Sequence, residues 1–300
     1  MEPRVVMVRR ETEYESLMVE HGTEQMAVFQ LKQRGVSIDE VRARHEHVLG
    51  AAEIALGRVP TTWRKTWVLR KDLDRFRFDP GDIVVAIGLD GLVPNVAKYL
   101  NGQPVIGVNP TDWPQQMMHF TAEELPELYG ASEHRLEART MVEVEMDDGR
   151  SLVALNELFC GHRAHQSAKY DIQVEDHREY QSSSGLIVAT GTGATGWARS
   201  IADATGVEGE DLPAPTDNWV YYFVREAWAS SFTGAELVHG AVHQGGLRIT
   251  SKMQAGGTLF GDGIESDGLE FCWGQTATFR VAQRLLNLVV RENGGGVDEV

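Results

Sequence analysis

The sequence predicts two lobes, an α/β lobe followed by a β-rich one, and three observations carry that expectation. Three hundred residues, 42% apolar and 24% charged, exceed what one hydrophobic core usually organises. Asp82 to Ile87 is a near-continuous apolar run of the kind that forms parallel strands buried on both faces, and helix-like segments flank it. From about Met141 the texture changes to short β-rich runs divided by Gly, Asp and Ser. The expected domains are residues 1–118 and 119–285, followed by a partly mobile tail, 286–300.

Taken in order, Val5 to Val8 reads as a strand, and the polar stretch from Glu13 to Gln33 reads as one helix that stops at Gly35. A second helix starts at Ser37, whose spacing to Glu40 is that of a capping box, and runs to about Leu56 before Gly57 and Pro60. Lys65 to Arg70, Asp82 to Ile87 and Pro104 to Val108 are the next strands. Between the last two lie Gly88-Leu89-Asp90-Gly91 and a short helix, Pro94 to Leu100, so the unit is strand, glycine turn, helix, strand. Such a unit aims its turn at whatever binds beyond the carboxyl ends of the sheet.

In the second lobe the expected strands are Met141 to Asp147, Leu152 to Leu155, Lys169 to Val174, Leu186 to Ala189, Leu247 to Ser251 and Thr276 to Val281. One helix, Thr195 to Asp203, interrupts them directly after Thr190-Gly191-Thr192-Gly193. Asp211 to Asp217 reads as a surface loop, and Glu292 to Gly296 as mobile.

Charge narrows the functional classes. The 28 Lys plus Arg against 44 Asp plus Glu leave a formal charge of -16, which repels phosphate backbones and anionic lipid and argues against nucleic-acid and membrane partners. Two distant cysteines, Cys160 and Cys272, fit free thiols in a reducing compartment, with no metal-type spacing. Acidic residues follow the apolar run at Val5 at once, which disfavours a targeting peptide, and no stretch approaches the ~18 apolar residues of a membrane span. The expected location is cytoplasmic.

Three segments carry candidate chemistry. Gly88 and Gly91 can take positive φ and bring backbone amides close to phosphate, while Asp90 offers a carboxylate that could take a proton from an acceptor hydroxyl. The same tetrapeptide also suits an ordinary tight turn. Thr190 to Thr195 places glycines and hydroxyls before a helix, which suits either a nucleotide or a simple capped start. Asn156-Glu157 offers donors and acceptors together, enough to grip a ribose diol or an adenine edge.

Their order and context resemble the NAD kinase family, which belongs with the diacylglycerol and sphingosine kinases in one superfamily. DIVVAIGLDGLVPNVAKYL, from Asp82 to Leu100, is similar to the family's Gly-Gly-Asp-Gly segment, and PVIGVNP, from Pro104 to Pro110, to the strand after it. ALNELFCGHRAHQSAKYDIQV, from Ala154 to Val174, resembles the Asn-Glu segment. SSSGLIVATGTGATGWARS, from Ser182 to Ser200, resembles the glycine and threonine segment, in the form of the mitochondrial-type enzymes and their bacterial relatives.

The resemblance implies a Rossmann-like α/β lobe with a β-rich second lobe, and ATP-dependent phosphorylation of the adenosine-ribose 2′-hydroxyl of NAD to give NADP, with Mg2+ carried by ATP. It implies Asp90 as general base and Gly88, Leu89 and Gly91 at the donor loop. For the dinucleotide it implies Asn156, Glu157, Thr192, Gly193, Thr195, Gly196, Trp197 and Ser200, with Asp262-Gly263 similar to a later Asp-Gly element. A homodimer or higher homo-oligomer is implied as well.

The chain departs from the pattern in two places. Leu89 replaces the second glycine, with Leu92 where Thr is common, and Thr111 to Gln116 lacks the Gly-His-Leu-Gly pattern of many members. These departures keep open a kinase of the superfamily acting on a sugar or nucleoside hydroxyl, or a non-catalytic dinucleotide-binding regulator. The pairs His162/His165 and His239/His243 sit in strand-rich surroundings that do not suit a helical metal site, so no metal ligand is assigned. Trp63, Trp67, Trp113, Trp219, Trp228 and Trp273 are expected in the core or at interfaces.

Overall fold

The computed structural model describes residues 2–111, 113–130, 135–243 and 245–291. The chain forms two units, the first running to Glu137 and taking the chain back from Asn287, the second comprising Ala138–Leu286. The division therefore falls later than the expected break after residue 118. Leu286–Val290, expected in the tail, is a strand of the first unit's sheet. Residues 292–296, expected to be mobile, lie outside the described residues.

The first unit is built on a six-stranded sheet in the order Arg64–Leu69, Arg4–Arg9, Asp82–Ile87, Pro104–Val108, Leu286–Val290, Arg135–Arg139. The first four pair in parallel, and Leu286–Val290 pairs in parallel with Pro104–Val108. Val5, Met7, Val85 and Ile87 face Ala52 and Ala55 of the long helix Ile38–Arg58. Val6, Val8, Val84 and Ala86 on the opposite face are also fully buried, which is why these strands read as unbroken apolar runs. Asp82 opens its strand buried, its carboxylate held by Arg4 at 2.8 and 2.6 Å and by the Asp79 amide at 2.7 Å.

Local signals explain where the helices depart from expectation. The stretch from Glu13 is two helices, Glu13–His21 and Glu24–Gln33, because Gly22 takes φ 69° and Thr23 caps a new start. The capping box belongs to Thr12 and Glu15, while Ser37 accepts only from the Asp39 amide. The helix after the glycine turn is Leu92–Ala97, every residue of it buried.

The second unit is a sandwich of two six-stranded sheets. One runs His177–Ser183, Ala168–Val174, Leu247–Ser251, Thr276–Val281, Val142–Met146, Ser151–Ala154. The other runs His239–Val242, Val220–Val224, Leu186–Ala189, Glu157–His162, Gly257–Gly261, Ile264–Glu270. Alternation sorts the second sheet's side chains. Leu158, Cys160, Leu186, Val188, Val220 and Tyr222 enter the inter-sheet core, while Phe159, Ile187, Ala189, Tyr221 and Phe223 face the helix Trp197–Thr205. Both faces of this sheet are thus covered.

Trp63 and Trp219 pack against cores as expected. Trp67, Trp113, Trp228 and Trp273 are exposed. No helix among the described residues is long and apolar enough to cross a membrane.

Candidate functional site

In the first unit, Gly88 follows the buried strand Asp82–Ile87 and takes φ 154°, a conformation that favours glycine. Gly91 differs from the expectation: its φ is -62°, and a Cβ there would meet nothing within 4 Å. No local strain requires glycine at that position. Leu89 is 57% exposed, so much of its side chain lies in solvent.

The Asp90 carboxylate is fixed by the segment that follows the next strand. Its Oδ1 accepts from the Met117 amide at 2.7 Å and its Oδ2 from the Gln116 amide at 2.8 Å, while the Asp90 amide donates to Gln115 Oε1 at 3.1 Å. A carboxylate has about four acceptor positions, so roughly two stay open after these bonds. The same segment lies on Gly107, where a Cβ would overlap the Met117 carbonyl. Asn109 then braces it, accepting from the Thr111 amide and hydroxyl at 2.9 and 2.8 Å and donating to the Trp113 carbonyl at 2.7 Å.

In the second unit two segments close around the backbone of Asn156. Thr190 donates its hydroxyl to the Leu155 carbonyl at 2.5 Å and its amide to the Asn156 carbonyl at 2.9 Å. Its hydroxyl also accepts from the amides of Thr192 and Gly193. Gly193 is required by this approach, since a Cβ would overlap the Asn156 carbonyl. From the other side, Asp262 accepts from the Leu155 and Asn156 amides at 3.0 and 2.7 Å. Asp262 and Gly263 take φ 54° and 68° in the hairpin turn between Gly257–Gly261 and Ile264–Glu270, the backbone such a two-residue turn needs.

The Glu157 side chain lies on the same side of its strand as Phe159 and is 9% exposed. Burial, and then the negative charge of Asp262, push its carboxyl up to about 7. The Thr192 hydroxyl is also buried, without a hydrogen-bond partner. A buried carboxyl and a buried hydroxyl without a partner are groups that a ligand with hydroxyl or amide groups would satisfy.

The helical part of the third segment begins later than expected, with a 3-10 turn at Gly193–Thr195 and the helix at Trp197–Thr205. Thr195, Gly196 and Ser200 are exposed there. Trp197 stacks on Phe159 with ring centroids 5.9 Å apart, and the Arg225 guanidinium sits 5.2 Å from its ring centre. Beside it opens a cavity of about 510 Å³, lined by Phe159, Trp197, Arg225 and Phe260 among others. Neither Phe159, Arg225 nor Phe260 carried a sequence signal, because strand alternation alone brings them to this face. The carboxylate bonds of Asp262 were equally invisible, although its Asp-Gly dipeptide is a hairpin signal.

The structure brings Gly88 to Gly91 together in the first unit, and Asn156, Glu157, Thr192 and Gly193 together in the second. Comparisons with known proteins add to this geometry. The chain is 29% identical over 130 residues to the NAD kinase of Chlorobaculum tepidum, a match covering 40% of this chain and 44% of that protein. It is 31% identical over 137 residues to the NAD kinase of Psychrobacter arcticus, covering 40% of each. The match thus spans less than half the length of these curated relatives. No protein-family profile matches the chain.

Among solved structures, an NAD kinase from Archaeoglobus fulgidus in complex with ATP superposes with TM-score 0.56 at 18% identity, covering 96% of this chain and 94% of that one. Yeast NADH kinase complexed with NADH superposes with TM-score 0.59 at 15% identity, covering 97% and 84%. At these identities the likeness is one of fold, the expected α/β unit followed by a β-rich unit.

Proposed function

We propose that the protein is an NAD kinase, transferring the γ-phosphoryl group of ATP to the adenosine-ribose 2′-hydroxyl of NAD. One coincidence carries the reading. Segments that resemble those of NAD kinases form a carboxylate-bearing loop at the carboxyl edge of a parallel sheet and a buried carboxyl beside a glycine loop, in a fold that superposes along nearly the whole of an NAD kinase solved with ATP. Curated NAD kinases about 30% identical over part of the chain support it.

In this reading Asp90 is the general base. The ribose oxygen bonds to the γ-phosphorus, the bond to the bridging oxygen of ADP breaks, and the hydroxyl proton passes to a free acceptor position of Asp90. The amides of Gln116 and Met117 hold the carboxylate's orientation. Gly88, Leu89 and Gly91 give the donor's phosphates access to backbone, which the exposure of the Leu89 side chain supports. Asn156 and Glu157 take the dinucleotide's hydroxyl and amide groups, with Thr192, Gly193, Thr195, Gly196, Trp197 and Ser200 completing its site. Glu157 accepts a ribose hydroxyl best when ionised, so NAD binding strengthens as pH rises through about 7.

Mg2+ would travel on the triphosphate. A soluble homo-oligomer in the cytoplasm is the form we propose.

The test is incubation with Mg-ATP and a panel of NAD, NADH, nucleosides and sugars, with NADP expected as the principal product. Asp90→Asn is expected to cut turnover about 10²-fold or more with little change in NAD affinity. Unchanged turnover removes Asp90 from the chemistry, and a preference for another hydroxyl in the panel replaces NAD as the acceptor.

A further inference from the structure

Four cations stand where the first unit's sheet ends. Arg9 pairs with the Arg4–Arg9 strand's neighbours in register, facing Leu69 on one side and Ile87 on the other. Arg10, Arg70 and Gly88 are therefore each the first residue beyond the carboxyl end of three adjacent strands. With parallel strands about 4.8 Å apart, those three ends span about 10 Å.

Two of the four cations are matched to carboxylates. Arg9 binds Glu15 with two hydrogen bonds of 2.7 and 2.9 Å, and Lys71 pairs with Glu11. The other two are not. Arg10 reaches only a neutral amide, donating to Asn95 Oδ1 at 3.3 Å, and Arg70 has no carboxylate partner among the described residues. Asn95 is buried in the helix that directly follows the Gly88–Gly91 loop, so Arg10 is tied to the element the loop leads into. Desolvation, and then the positive charge of Arg70, lower the Arg10 pKa. Like charges brought together are unfavourable until an anion joins them. A chain with 44 acidic residues has left this pair unmatched at the edge where ligands of parallel sheets bind.

We propose that Arg10 and Arg70 form the site for the terminal phosphates of a nucleoside triphosphate or polyphosphate donor, beside the Gly88–Gly91 loop. The planar guanidinium fork matches two phosphate oxygens at once, and two forks neutralise the charge that a triphosphate concentrates at its end. The proposal deepens the kinase reading and rests on it for the identity of the donor, while the anion site itself can be measured without any acceptor.

The experiment is calorimetric titration of the full chain with sodium tripolyphosphate and with Mg-ATP, alongside KM values for ATP and NAD. Arg10→Met and Arg70→Met are each expected to weaken tripolyphosphate and raise the ATP KM about 10-fold or more, with the NAD KM within about twofold. Lys71→Met, which removes a neighbouring cation already paired, is expected to stay within about twofold on all three readouts. Where a Met variant loses the circular dichroism of the native chain, the Lys variant at that position replaces it. It keeps the charge but not the fork, and an affinity loss of about threefold or more is expected.

Tripolyphosphate affinity unchanged in both folded arginine variants overturns the proposal, as does an equal loss in Lys71→Met or a native chain that binds no tripolyphosphate. NAD phosphorylation by the native chain with arginine variants that bind tripolyphosphate normally refutes this site alone. Arginine-dependent tripolyphosphate binding without NAD phosphorylation sustains the site and refutes the acceptor.

Discussion

Replacing Glu157 with Gln tests whether the second unit buries an uncompensated charge. The folded chain holds this carboxyl at about 7, against an ordinary value of 4.5, first through burial and then through Asp262. Between those two values the folded state binds a proton that the unfolded state has released. Native stability therefore falls as pH rises through that window and levels off above about 7. At about 1.36 kcal/mol for each tenfold change in proton affinity, the loss is on the order of 3 kcal/mol.

Gln has nearly the same shape and does not titrate. Its stability relative to the native chain is expected to be near zero at pH 4.5 and to grow in its favour to on the order of 3 kcal/mol at pH 8. Urea unfolding of both proteins at half-unit pH intervals, followed by far-ultraviolet circular dichroism and tryptophan fluorescence, measures that difference while other titrating groups cancel. A difference that stays constant across the window, or one that favours Glu157 at high pH, refutes the reasoning and means that the carboxylate is ionised and well solvated in the folded chain.

Further substitutions separate structural from ligand-facing roles. Gly91→Ala adds a Cβ where nothing lies within 4 Å, so stability is expected to change by about 0.5 kcal/mol or less, and any large rise in the ATP KM then reports close approach of a phosphate. Gly193→Ala, by contrast, drives a Cβ into the Asn156 carbonyl and is expected to lower the unfolding midpoint and weaken NAD binding together. Glu15 is held down to about 2, chiefly by its hydrogen bonds to Arg9, so its contribution is fully present above an ordinary carboxyl's 4.5 and is lost as pH falls toward 2. Glu15→Gln is accordingly expected to destabilise the first unit at pH 7 by about 1–2 kcal/mol and to lose that effect near pH 2, read by thermal denaturation at both values.

What could be read from the sequence followed burial on both faces and local backbone chemistry. Asp82–Ile87, Pro104–Val108 and Leu186–Ala189 were legible because uninterrupted apolar runs belong to doubly covered strands. His177–Ser183 was not, since HREYQSS at a sheet edge keeps only alternate positions buried and has too few apolar residues to signal a strand. Glu157–His162 was not among the expected strands, because its buried opening carboxyl breaks the hydrophobic pattern that the rest of the strand continues. The glycine loop and the Asn-Glu pair were visible as residue types in order. The hydrogen bonds that orient Asp90 and Asn156 come from residues 25 to 27 and 106 positions away, and no local pattern announces them.

The return of Leu286–Val290 to the first sheet bears on how the chain matures. While those residues are still unsynthesised, Pro104–Val108 lacks its strand partner at Pro104 and Val105, with Phe120 bridging only the Val108 end of that edge, and the sandwich between them is already complete in sequence. On the ribosome the later unit can therefore finish before the earlier one, the reverse of the usual vectorial order. A nascent chain halted just short of Leu286 would present an apolar strand with free backbone donors and acceptors, an invitation to pair with other chains and a natural signal for chaperones.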